Sequence, residues 1–139
     1  MQALEDLGMN PVARFYVDRD EFHVDFVGDE IAEQDCCIYA FVIGDEIVRI
    51  GSCKSTLRVR LKATERHFHN SIFRGKYRPT SKEDGEFMRE QMKSHGHGIV
   101  WGRQGTMVTT PVGTFPAYLD EESILLGRYR PPLNHNLHR

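Results

Sequence analysis

No apolar run in this sequence approaches the roughly 20 residues needed to cross a bilayer as a helix, so no transmembrane helix is expected. The segment Met1 to Leu7 lacks the basic start and apolar stretch of a secretory signal, and the expected location is cytoplasmic, away from any membrane. Cysteine is scarce: Cys36, Cys37 and Cys53 are odd in number and have no metal-site spacing. That excludes a disulfide framework and a thiolate zinc site, and it suits reduced thiols of a cytosolic protein. What remains is an ordinary globular chain of 139 residues, 40% hydrophobic and 27% charged, the length of one domain.

The net charge of −2 hides an asymmetry. Residues 1–35 carry ten acids against two arginines. Residues 49–78 carry nine cations, Arg49, Lys54, Arg58, Arg60, Lys62, Arg66, Arg74, Lys76 and Arg78, against Glu65 alone. Interleaved with Phe68, Phe73 and Tyr77, such a block can track a phosphate backbone. A solvated helix face would look the same by charge alone.

Alternation over Arg14 to Val27 predicts an antiparallel hairpin with Phe15, Val17, Phe22, Val24 and Phe26 inward. An acidic linker or helical turn follows, and then two apolar strands, Cys37 to Ile43 and Ile47 to Ile50, joined at Gly44-Asp45-Glu46. Ser55 or Thr56 can cap a helix over about Leu57 to Asn70, with Leu57, Leu61, Thr64 and Phe68 as its buried stripe and Arg60 and His67 on one flank. Lys62 and Arg66 are expected to face solvent. Ser71 to Thr80 reads as a basic loop, and Ser81 opens a structural helix that Gly96 stops. Ile99 to Trp101 and Met107 to Val112 predict third and fourth strands. Leu119 to Arg130 predicts an acidic-starting helix closed by Pro131 and Pro132.

Two stretches carry a pattern. Cys37-Ile38-Tyr39 and Arg49-Ile50-Gly51 lie on the paired strands, Leu57-x-x-Arg60 opens the basic helix, and Glu122-x-x-Leu125-Leu126-x-x-Tyr129-x-Pro131-x-x-Asn134 closes the chain. In this order and spacing, residues 36–136 resemble the GIY-YIG nuclease superfamily. The resemblance implies an α/β (α+β) fold: a small mixed, largely antiparallel sheet flanked by helices. It divides the chain into an acidic N-terminal extension with a hairpin, 1–35, and a nuclease-like domain, 36–139.

The resemblance also implies roles. Glu122 matches the family's metal-binding glutamate and would hold one Mg²⁺ or Mn²⁺, since a single carboxylate suits one hard cation whose shell is otherwise water and phosphate oxygen. Arg60 matches the arginine that faces the phosphate, with Arg58 a rival because the preceding loop is one residue longer than usual. Tyr39 would orient or deprotonate water, with His67 near it. Asn134 would brace the glutamate helix or the site. Arg49 stands where the family has tyrosine, and a cation there can donate to phosphate instead. Core packing would equally place Tyr39, and a turn would equally place Asn134.

The implied activity is metal-dependent hydrolysis of DNA phosphodiesters, most similar to restriction-type or phage-type members. The substrate would be double-stranded DNA held by Lys54, Arg58, Lys62, Arg66, Arg74, Lys76 and Arg78, with a homodimer as one way to cut both strands. Two other readings stay open: a nucleic-acid-binding module with a decayed site, and an interaction protein using its acidic and basic faces.

Overall fold

The computed structural model describes residues 1–135. Along the chain lie α1 (Gln2–Glu5), β1 (Asn10–Asp18), β2 (Glu21–Phe26), α2 (Asp29–Ala32), β3 (Cys37–Ile43) and β4 (Glu46–Cys53). Then come α3 (Leu57–Phe73), α4 (Lys82–His95), β5 (His97–Gln104), β6 (Met107–Thr110), β7 (Gly113–Pro116) and α5 (Tyr118–Tyr129). Five strands form one sheet in the order β2-β1-β5-β3-β4, and each of its pairings is antiparallel. The N-terminal hairpin is continuous with this sheet, because β1 pairs with β5 from Asn10↔Gly102 to Tyr16↔His97.

Helices cover both faces, which is why every residue of the internal strand β3 is buried. On one face Phe15, Val24, Tyr39, Phe41 and Val48 meet Leu57, Leu61 and Phe68 of α3 and Met88 and Met92 of α4. On the other, Ile38, Ala40, Ile50 and Trp101 meet Leu4 of α1 and Leu125 of α5. The architecture is a small α+β sheet flanked by helices. No helix among the described residues is long and apolar enough to cross a membrane.

The helices start where local chemistry dictates. Thr56 Oγ1 accepts the Val59 N–H at 3.2 Å to cap α3, and Ser81 Oγ accepts the Asp84 N–H at 3.1 Å to cap α4. α3 buries Leu57, Leu61, Thr64 and Phe68, and it runs on to Phe73 because Ser71, Ile72 and Phe73 continue the inward stripe. The fourth strand differs from expectation. β6 and β7 form a separate two-stranded ribbon with the turn at Pro111 and Val112, since proline cannot donate to a ladder and Gly113 takes a positive φ of 142°.

The decisive local feature is a bulge in β4. Phe41 pairs with Arg49 but Val42 pairs with Ile47, so Val48 is an extra residue. A bulge resets which side chains face which way. Ile47 and Ile50, three apart, therefore share the α5 face, while Arg49, Gly51 and Cys53 pair with Phe41, Tyr39 and Cys37 of the α3 face.

Candidate active site

β4 is an edge strand, and at its open edge the two helical layers come together. A cleft of about 680 Å³ lies there, lined by Arg49 of β4, Ser81 and Asp84 at the start of α4, Glu122 of α5, and Asn134 and His135 of the C-terminal segment. Arg49 is half-buried and its Nε is buried without a partner among the described residues. Glu122 Oε1 accepts the Ser52 hydroxyl at 2.9 Å, a contact the bulge makes available by turning Ser52 toward α5.

Glu121 and Glu122 are sorted by the fold. Glu121 is tied to Arg103, Oε2 to Nη2 at 2.6 Å, and takes both the N–H and the hydroxyl of Thr106 at 2.7 and 2.8 Å. Burial would raise its pKa, but the Arg103 and Thr106 hydrogen bonds hold it below the ordinary carboxylate value. Glu121 is thus a structural anchor for the loop before β6, and Glu122 is the carboxylate presented to the cleft.

Asn134 does not reach the glutamate helix. Its Oδ1 accepts the Ile50 N–H at 2.8 Å and its Nδ2 donates to the Ile50 carbonyl at 2.8 Å, while Leu133 N–H donates to the Val48 carbonyl at 2.9 Å. The C-terminal segment therefore stands in for a further strand on the exposed edge of β4, and it holds the strand that carries Arg49, Gly51 and Ser52.

Tyr39 is fully buried between β4 and α3, and its Oη has no partner among the described residues. The ring lies over Gly51, where a Cβ would come within 2.4 Å of Oη, so glycine is what admits the phenol. Tyr39 does not line the cleft. Burial first, and then the charges of Arg66, Arg49 and Arg60, lower the pKa of His67, which places these groups in electrostatic reach of one another. The pKa of Cys53, opposite Cys37, is lowered chiefly by the neighbouring Cys37 thiol, and the charge of Arg60 adds to the effect. Neither Arg60 nor His67 lines the cleft.

Arg58 lies elsewhere. It pairs with Glu33 and Asp29 and stacks on Phe26 at 4.5 Å. Lys62 likewise does not simply face solvent: its ammonium reaches the Val24 carbonyl at 3.3 Å and Glu65 at 3.4 Å, because β2 packs alongside α3. Lys54, Arg66, Arg74, Lys76 and Arg78 are exposed and carry no ion pair among the described residues. Asp84 and His135 are cleft residues that sequence reasoning missed, and so is Ser52, which holds Glu122 from outside the lining. For Asp84 the capping pattern was visible, but it explained the residue without the cleft.

No protein-family model matches the chain, and no curated protein matches it by sequence. The fold is similar to a mutant of bacteriophage T4 EndoII, at 19% identity over 96% of both chains with a TM-score of 0.66. It is also similar to the restriction endonuclease Hpy188I in complex with product DNA, at 12% identity over 92% of this chain and 78% of that one, with a TM-score of 0.55. At these identities the likeness is one of fold, and it includes a nuclease of the restriction class.

Proposed function

We propose that this protein is a metal-dependent endonuclease that hydrolyses phosphodiesters of double-stranded DNA. The observation that carries the reading is the cleft at the β4 edge, where Glu122 lines one cavity with Arg49, whose buried Nε has no partner among the described residues. Such a pairing answers the two needs of phosphodiester hydrolysis: positive charge on the phosphate oxygens and a carboxylate for a hard cation.

The residues present fit one Mg²⁺ or Mn²⁺. Among the described residues there is no group of three or more His, Cys, Asp or Glu side chains able to hold a metal. Among the described residues Glu122 has one oxygen engaged by Ser52 and the other without a hydrogen bond, which suits an ion whose remaining ligands are water and phosphate. When bound, that ion would supply a Lewis acid and a more acidic water. The protein's own groups do the rest. Arg49 would neutralise the non-bridging oxygens from the cleft lining, and Arg60 would add positive charge from α3. His67, kept neutral by burial and by neighbouring cations, is suited to accept a proton. Tyr39 supports the wall against Gly51, and Asn134 secures β4.

The exposed cations Lys54, Arg66, Arg74, Lys76 and Arg78 supply the nonspecific hold on the DNA backbone. Target choice rests on the loop of residues 71–80, as in a restriction-type enzyme, and cutting of both strands would use a homodimer or two encounters. A second reading has its own observation, Arg49 in the place of the family's tyrosine: a DNA-binding module that does not cut.

Plasmid nicking with Mg²⁺ or Mn²⁺ separates the two. The expected result is scission that disappears with EDTA and in Glu122→Ala. Salt-sensitive DNA binding without scission under either metal would replace the first reading by the second.

A further inference from the structure

Where the first turn of α4 and the C-terminal segment line the cleft stands a pair that the metal and phosphate roles leave unused. His135 Nε2 lies 2.6 Å from Asp84 Oδ1, and both residues line the same cavity as Glu122 and Arg49. The Asp84 side chain is only 16% exposed, whereas that of His135 is 61% exposed and open to the cavity mouth. Asp84 is held in place twice over. Its backbone N–H is fixed by the Ser81 cap at 3.1 Å, and its position in the first turn of α4 suits a negative charge. A carboxylate that is pre-set and largely shielded, carrying an imidazole that is free on its other side, is the arrangement by which a histidine is oriented for proton transfer.

Hydrolysis needs a proton at each end of the reaction. The attacking water must lose one, and the leaving sugar oxygen must gain one as its bond to phosphorus breaks. His67, among Arg66, Arg49 and Arg60, is disposed to be neutral and suits the first task. His135 stands in the opposite setting, against a carboxylate. Charged groups facing it are Asp84 from α4, Arg49 from β4 and Glu122 from α5.

We infer that His135 is the general acid of this site and that Asp84 is the residue that positions it. This assignment rests on the hydrolase reading given above. In the step, the water oxygen bonds to phosphorus and the bond from phosphorus to the leaving oxygen breaks. The Nδ1 proton of the His135 imidazolium passes to that oxygen, leaving a neutral ring whose Nε2–H still donates to Asp84. The proton released by the water goes to His67 or solvent, and solvent recharges His135.

A leaving group that needs no proton provides the test. His135→Ala and Asp84→Asn are compared with the wild type on plasmid DNA and on bis(p-nitrophenyl) phosphate, with Mg²⁺ or Mn²⁺ throughout. General acid catalysis is worth about 10²–10⁴-fold, so His135→Ala is expected to lose at least about 10²-fold on DNA. Its loss on the aryl ester is expected to be less than about threefold, because p-nitrophenolate leaves unprotonated. Asp84→Asn should show the same selectivity to a smaller degree. The alkaline fall of the wild-type pH–rate profile on DNA should be missing in His135→Ala. Equal losses on the two substrates, or full activity of His135→Ala on DNA, would overturn the assignment while the hydrolase reading stands. Failure of the wild type to cut either substrate would overturn both.

Discussion

Replacing Asn134 by alanine tests the claim that the C-terminal segment serves as a further strand for β4. The amide makes two hydrogen bonds of 2.8 Å to Ile50, one to its N–H and one to its carbonyl. A net value of about 1 kcal/mol each gives a floor of about 2 kcal/mol for Asn134→Ala. The Ile50 side chain is 1% exposed, so water reaches its backbone poorly, and unsatisfied groups would raise the cost to about 4 kcal/mol. For a chain of 139 residues, an unfolding entropy of about 2.1 cal/mol/K per residue turns this into a fall in Tm of roughly 7–14 °C. Urea titration followed by circular dichroism reads the first quantity, and the slope should match the wild type. Asn134→Asp provides the internal control. Its carboxylate still accepts from the Ile50 N–H but faces the Ile50 carbonyl with no proton to offer. Asn134→Asp should therefore be at least as unstable as Asn134→Ala at pH 7, and it should recover part of the loss in acid, where the protonated form can donate. A loss below about 0.5 kcal/mol in Asn134→Ala, within the range of ordinary surface substitutions, would refute the reasoning.

Two further outcomes follow from the same geometry. Glu121 has its pKa lowered in the fold, so its contribution is complete above the ordinary carboxylate value and is lost as pH falls through the lower, folded one. Glu121→Gln should cost roughly 2 kcal/mol at pH 7 and nothing in strong acid, while Glu122→Ala should leave the urea midpoint nearly unchanged; equal losses in the two variants would contradict the division of roles. DNA affinity measured against salt should lose about one unit of slope in Arg66→Ala but not in Arg58→Ala, because Glu33 and Asp29 already occupy the Arg58 guanidinium. Equal slopes in both variants would move the basic surface away from α3.

Much of the fold was legible because short-range rules agree with burial. The stripe Leu57, Leu61, Thr64 and Phe68 specified which face of α3 turns inward, and Ser81 with Gly96 marked both ends of α4. The turn after Ile43 and the hydrophobicity of β3 required a buried hairpin at the centre of the chain. The pattern from Glu122 to Asn134 brought the cleft's carboxylate and the edge-strand amide into view together. Contacts distant in sequence were another matter. Period-two reading of Glu46–Cys53 cannot register Val48 as an extra residue, since a bulge is specified by the partner strand. Without it, strict alternation from Ile47 would put each of Arg49 and Ser52 on the other's face. Glu121 and Glu122 are chemically identical neighbours, and only the positions of Arg103 and Ser52 make one a structural anchor and the other a cleft residue. Asp84 and His135 lie 51 residues apart and meet because the first turn of α4 and the C-terminal segment line the same cleft. The sequence by itself determined the elements, their inward faces and the residue types available for chemistry, because those follow from local propensity and period. Which of those residues share a cavity was decided by the tertiary structure, through one bulge and one edge-strand contact, because neither leaves a periodic signal along the chain.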